Sequence, residues 1–104
     1  MNLRATRIAA DPAKAAEGTA SYQDMVGAMR QVDGFIGALL LIDRASGDSL
    51  GLTFWENEQK LRASEEVAGK FRREGASAIG ATGAPTVERF EVAFYGVPEP
   101  SSVR

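Results

Sequence analysis

The stretch FIGALLLIDRASGDSLGLTFW, residues 35–55, decides the fold. Its first part, Phe35 to Ile42, is almost wholly apolar, which suits a strand covered on both faces or a buried helix. The run is short and has turn formers on either side, so the strand is the better reading. Asp43 to Asp48 supplies the turn, with Ser46-Gly47-Asp48 at its centre. Leu50 to Trp55 then alternates, placing Leu50, Leu52 and Phe54 opposite Gly51, Thr53 and Trp55. Two such strands around one turn make a hairpin.

Working outward toward the N-terminus, Tyr22, Met25, Val26, Met29 and Val32 recur at helical spacing and predict a helix over Ala20–Val32, closed by Asp33-Gly34. Asp11-Pro12 can start that helix earlier, since Asp caps well and Pro is tolerated at the first helical position. Gly18-Thr19 leaves open whether the helix is continuous. Leu3 to Ala10 reads as a first strand, with Leu3, Ala5, Arg7 and Ala9 on one face and Arg4, Thr6, Ile8 and Ala10 on the other.

Toward the C-terminus, Asn57 is placed to cap a second helix whose buried stripe is Leu61, Ser64, Val67, Ala68 and Phe71, with Gly75 as its terminating residue. Ala76 to Pro85 is a flexible connection. Thr86 to Tyr95 is a last strand, with Glu88, Phe90, Val92 and Phe94 opposite Val87, Arg89, Glu91, Ala93 and Tyr95. Residues 1–96 therefore form a single domain, and residues 97–104, with Pro98 and Pro100, are expected to be a loosely ordered tail.

The order βαββαβ predicts an α+β, ferredoxin-like domain with an antiparallel four-stranded sheet and both helices on one face. The other face is left bare, yet Leu50, Leu52 and Phe54 point to it. An apolar patch of that kind calls for a cover. A homodimer through the sheet face, forming a dimeric α/β barrel, is the expected solution.

Composition narrows function. The 104 residues carry 44% apolar and 25% charged side chains and a net charge of −2, without the basic excess of a general nucleic-acid binder. The one basic spot, Lys70, Phe71, Arg72 and Arg73, reads as the polar end of a helix, where cations complement the dipole. There is no Cys and no His, which removes thiolate chemistry, the commonest metal ligand and the commonest general base. No metal and no cofactor is expected. No segment reaches membrane-spanning length and no signal pattern opens the chain, so a cytoplasmic protein is expected.

Three motifs carry a resemblance spanning Leu3 to about Tyr95. Val32-Asp33-Gly34-Phe35 at the helix-to-strand turn, Phe54-Trp55-Glu56-Asn57-Glu58 at the end of the third strand, and Arg89-Phe90-Glu91-Val92 in the closing strand resemble the antibiotic-biosynthesis-monooxygenase-like family of dimeric α/β-barrel proteins. The resemblance implies that fold, and an activity among cofactor-independent oxygenases of aromatic substrates or haem-degrading enzymes. The haem-degrading branch uses a first-strand Asn, the third-strand Trp and a second-helix His. Here Trp55 matches, Thr6 stands at the Asn position, and Glu65 and Glu66 stand where His is expected, so haem degradation is not implied.

Each candidate site residue has two readings. Trp55 is either a flat wall for a planar ligand or a core Trp whose indole N–H finds a partner. Tyr22, Met25 and Met29 face the same space, with Thr6 and Phe71 beside it, as pocket lining or as core. Asn57 can polarise a substrate carbonyl or cap its helix, and Tyr22 is the other catalytic candidate. Glu56, Glu58, Glu65 and Glu66 read as a solvated helix face. Arg89 and Glu91 are expected to pair with Arg7 or to hold an anion. Two functions follow: a cofactor-independent monooxygenase-like protein for a phenol- or quinone-type substrate, or a non-catalytic dimer binding a small molecule or serving as an interaction module.

Overall fold

A computed structural model describes residues 1–96. It contains β1 (Asn2–Ile8), a single 3-10 turn (Pro12–Lys14), α1 (Ala15–Met29), β2 (Phe35–Ile42), β3 (Ser49–Trp55), α2 (Glu58–Ala63), α3 (Glu65–Ala78) and β4 (Thr86–Glu91). The four strands form one antiparallel sheet in the order β2-β3-β1-β4. This is the ferredoxin-like α+β arrangement, with the helices packed on one face. The expected tail, residues 97–104, lies outside the described residues.

The hairpin forms as its sequence dictates. Leu39 stands opposite Leu52 and Leu41 opposite Leu50. Ile36 is the extra residue at a register shift between Phe35 and Gly37. That bulge keeps Phe35 on the helix side, where its ring meets Trp55 edge-on at 5.5 Å, while Leu39 and Leu41 turn outward. At the entry to β2, Gly34 has φ +85, which a side chain rarely adopts, and an added Cβ would run into Lys60.

Several local boundaries differ from expectation. The helix is continuous through Gly18, which is buried because Ile79 packs where its side chain would be. The second helical segment is two helices, α2 and α3, broken at Ser64. Gly75 lies inside α3 rather than ending it; the chain reverses at Gly80, φ +62. Lys70 to Arg73 consequently sit in mid-helix, not at its polar end. The last strand stops at Glu91, short of Tyr95.

The core between sheet and helices is Met25, Met29, Trp55, Leu61 and Ala68, with Tyr22, Val26, Phe35, Val67 and Phe71 packed around it. The opposite sheet face carries rows set by register, such as Leu39, Leu52, Ala5 and Glu88. Leu39, Leu41 and Phe90 are each about half exposed there.

Candidate functional site: an apolar cavity with an arginine wall

Between the sheet and α1/α3 lies a cavity of about 100 Å³, room for about three waters at liquid density. Its sheet wall comes from the inward residues Arg4, Thr6 and Ile8 of β1, Leu40 and Ile42 of β2, and Gly51 and Thr53 of β3. The period of two delivers them all to one side. The helix wall comes from Tyr22, Met25 and Met29 of α1 and from Phe71 and Arg72 of α3. The lining runs from buried Arg4 to exposed Asp11 and Lys14.

Gly51 makes room for Tyr22, since a Cβ there would stand 2.9 Å from the Tyr22 ring. The Tyr22 hydroxyl donates to the Leu52 carbonyl at 2.9 Å. Burial pushes its pKa up. Tyr22 is thus held as a neutral donor and is a poor proton acceptor.

Trp55 points to the helix side but is fully buried, and it is not among the residues lining the cavity. Its indole N–H donates to Thr53 Oγ1 at 3.0 Å. Strand alternation fixes the side a residue faces; it does not fix depth, and α2 closes over Trp55 through Leu61. Asn57 lies on the exposed surface, where its side chain accepts the Lys60 N–H at 2.8 Å and caps α2. The structure therefore brings Tyr22, Met25, Met29, Thr6 and Phe71 to one cavity and leaves Trp55 and Asn57 outside its lining.

The polar residues that matter most were missed. Arg4 is inside the domain, its side chain 3% exposed. Its Nη2 donates at 2.8 Å both to the Leu61 carbonyl and to Ser64 Oγ, the groups exposed by the break between α2 and α3. Glu65 Oε1 lies 3.2 Å from the same nitrogen. Glu65 also accepts from Arg89 Nε and Nη2 at 2.6 and 2.8 Å. The bidentate hydrogen bonds from Arg89, with Arg4 adding to them, hold the Glu65 carboxyl down to about 2 against the opposing effect of burial.

These contacts correct two expectations. Glu65 is not part of a solvated helix face, because Arg89 and Arg4 grip it. Arg89 does not pair with Arg7, because Arg7 points to the other sheet face, opposite Thr86 and Leu50. The available signal was the placement of Arg4 in the inward set with Thr6 and Ile8. Among the described residues, no group of three or more Asp, Glu, His or Cys is arranged to hold a metal ion. No described helix is long and apolar enough to cross a membrane.

The fold is one already known in solved structures. The monooxygenase ActVA-Orf6 of Streptomyces coelicolor, solved with nanaomycin D, superposes with TM-score 0.75 at 18% identity, over 94% of this chain and 92% of that one. SnoaB, a cofactor-independent oxygenase from Streptomyces nogalater, gives TM-score 0.69 at 19% identity over 94% and 97%. The chain thus has the fold of antibiotic biosynthesis monooxygenases, the family its motifs resemble. In sequence, two uncharacterized proteins of Mycobacterium tuberculosis H37Rv are similar. Rv2558 is 33% identical over 99 residues, 94% of this chain and 41% of the relative. Rv2557 is 36% identical over 91 residues, 86% of this chain and 40% of the relative. The chain therefore spans about two-fifths of the length of these curated relatives. No family model matches it.

Proposed function

We propose that this domain binds a small, planar, mainly apolar molecule in the cavity between its sheet and helices, and that it does so as a homodimer joined through the open sheet face. The observation that carries the reading is the cavity itself, roofed by Tyr22, Met25, Met29 and Phe71 and floored by Thr6 and Gly51. A wall of that composition holds an aromatic body by burial, and few polar groups fix its orientation.

The chemical extension is a cofactor-independent monooxygenase-like reaction on a phenol-type substrate. Its support is the fold shared with ActVA-Orf6 and SnoaB. In such a step the electron-rich ring reduces oxygen directly. One oxygen atom forms the new carbon–oxygen bond, the other leaves as water with the ring hydrogen and the phenol proton, and the product is a quinone. The protein contributes a dry cavity and positioning. Tyr22 is the polar group proposed to steer the substrate, but its hydroxyl already donates to the Leu52 carbonyl, and Asn57, which caps α2 on the surface, lies outside the cavity. Binding without turnover is therefore the second reading.

Oxygen-electrode measurements with single-ring phenols, alongside calorimetric binding, separate the two. Saturable binding with oxygen uptake above the uncatalysed rate establishes the oxygenase. Binding without uptake leaves the small-molecule-binding domain, and no binding by any of these compounds overturns the cavity reading.

A further inference from the structure

We propose that the cavity is an anion site, taking a small organic carboxylate whose apolar body fills the cavity and whose carboxylate is held by Arg72 and Arg4. The proposal rests on the small-molecule reading above and is independent of oxygen chemistry.

The first observation is unused hydrogen-bonding capacity. Arg4 commits Nη2 to Leu61, Ser64 and Glu65. Its Nε and Nη1 are buried and meet no hydrogen-bond partner among the described residues. Arg72, projecting from α3, has Nε and Nη2 in the same condition. Both residues line the one cavity. Buried donors without acceptors are rare, because each loses its water without replacement. Two guanidinium groups in that state lining one cavity, one from the sheet and one from the helices, point to an acceptor brought by a ligand.

The second observation is charge. Arg4, Arg72 and Arg89 all feel the single carboxylate Glu65, and Arg73 adds further repulsion at Arg72. Glu65 spends both oxygens on Arg89 and one of them also on Arg4. Three guanidinium groups share one carboxylate, and two of them, Arg4 and Arg72, line the apolar cavity. In such surroundings an anion is attracted far more strongly than in water.

Geometry selects the anion. Nε and Nη2 form the side edge of a guanidinium, and Arg89 uses that same pair to grip both oxygens of Glu65. The matching edge of Arg72 is therefore shaped for two coplanar oxygens, which a carboxylate presents. Beyond it the lining is apolar, with Ile8, Leu40, Ile42, Phe71 and Ile79. A free inorganic anion would leave that apolar surface unused.

The test is calorimetric titration of the full chain with benzoate and with its neutral isostere benzamide, single-ring bodies matched to the small cavity. The wild type is expected to bind the carboxylate at least about tenfold more tightly. Arg72→Gln is expected to reduce the difference by weakening the carboxylate alone, with the amide unchanged and thermal unfolding verifying the fold. Equal affinities in the wild type, or a preference undiminished in Arg72→Gln, overturn the anion assignment and leave the cavity reading intact. Failure of both compounds to bind overturns the two together. The wild-type comparison decides the matter even if the variant does not fold.

Discussion

The guanidinium carbon of Arg4 lies 5.6 Å from the centre of the Trp55 ring. A cation over an aromatic face is attracted to it, more so when neither group can turn to water. Trp55 covers one side of a buried charge, Thr53 receives its indole N–H, and Leu61 and Ser64 take the Arg4 hydrogen bonds from the other side. The Trp at the end of β3 thus supports the arginine wall from behind while standing outside the cavity.

Trp55→Phe is expected to destabilise the domain by about 1–3 kcal/mol, through lost buried surface and an unpaired Thr53 hydroxyl. Urea unfolding measures this. Wild-type Trp55 fluorescence should be blue-shifted and resistant to acrylamide, as a fully buried indole requires. Ready quenching in the folded state would contradict the burial.

Acid stability should report on Glu65. Its folded pKa of about 2 lies below the ordinary 4.5, so the unfolded chain takes up the proton first. The stabilisation is therefore complete above about pH 4.5 and is lost as pH falls through about 2. Glu65→Gln removes this contribution, so its stability should fall less steeply than wild type across that window, measured by urea unfolding at stepped pH. An unchanged slope would show that the carboxylate is not held by Arg89 and Arg4.

The hairpin was legible because β2 is a short, continuous apolar run, β3 alternates with period two, and turn formers lie between them. Tyr22, Met25 and Met29 were legible from their helical spacing. Depth was not. Trp55 and Thr53 face the same way, yet Thr53 lines the cavity and Trp55 does not, because α2 packs over the end of β3. Arg4 was hidden because an arginine in a strand of mixed polarity looks solvated. Its burial depends on Glu65 and on the break at Ser64, a contact across 60 residues. Gly75 looks able to end a helix, yet α3 runs on to Ala78, Ile79 packs against Gly18, and the chain reverses at Gly80.

Asn57 and Tyr22 can be sorted by substitution. Asn57→Ala should cost about 1 kcal/mol of stability through the lost cap, and Asn57→Asp, which caps equally well, should restore it. Ligand affinity should be unchanged in both, since Asn57 lies outside the cavity. Tyr22→Phe removes the hydrogen bond to Leu52 and should cost about 0.5–1.5 kcal/mol. If Asn57→Asp keeps stability but loses a measured oxygenase activity, the side chain is catalytic as well as capping.

The proposed dimer is best tested at Leu39. This residue is half exposed on the open sheet face, opposite Leu52 and far from the helices. In a lone protomer Leu39→Asp would place a charge in water and change stability within about 0.5 kcal/mol. In a dimer joined sheet to sheet, the same charge would be buried without a partner and would separate the subunits. Leu52→Asp is less exposed and should disturb folding as well, so it serves as the harsher comparison. Sedimentation at micromolar concentration should show wild-type dimer and a folded Leu39→Asp monomer, with far-ultraviolet circular dichroism unchanged. A wild-type protein that sediments as a monomer, or a variant that still dimerises, would remove the open face from the interface.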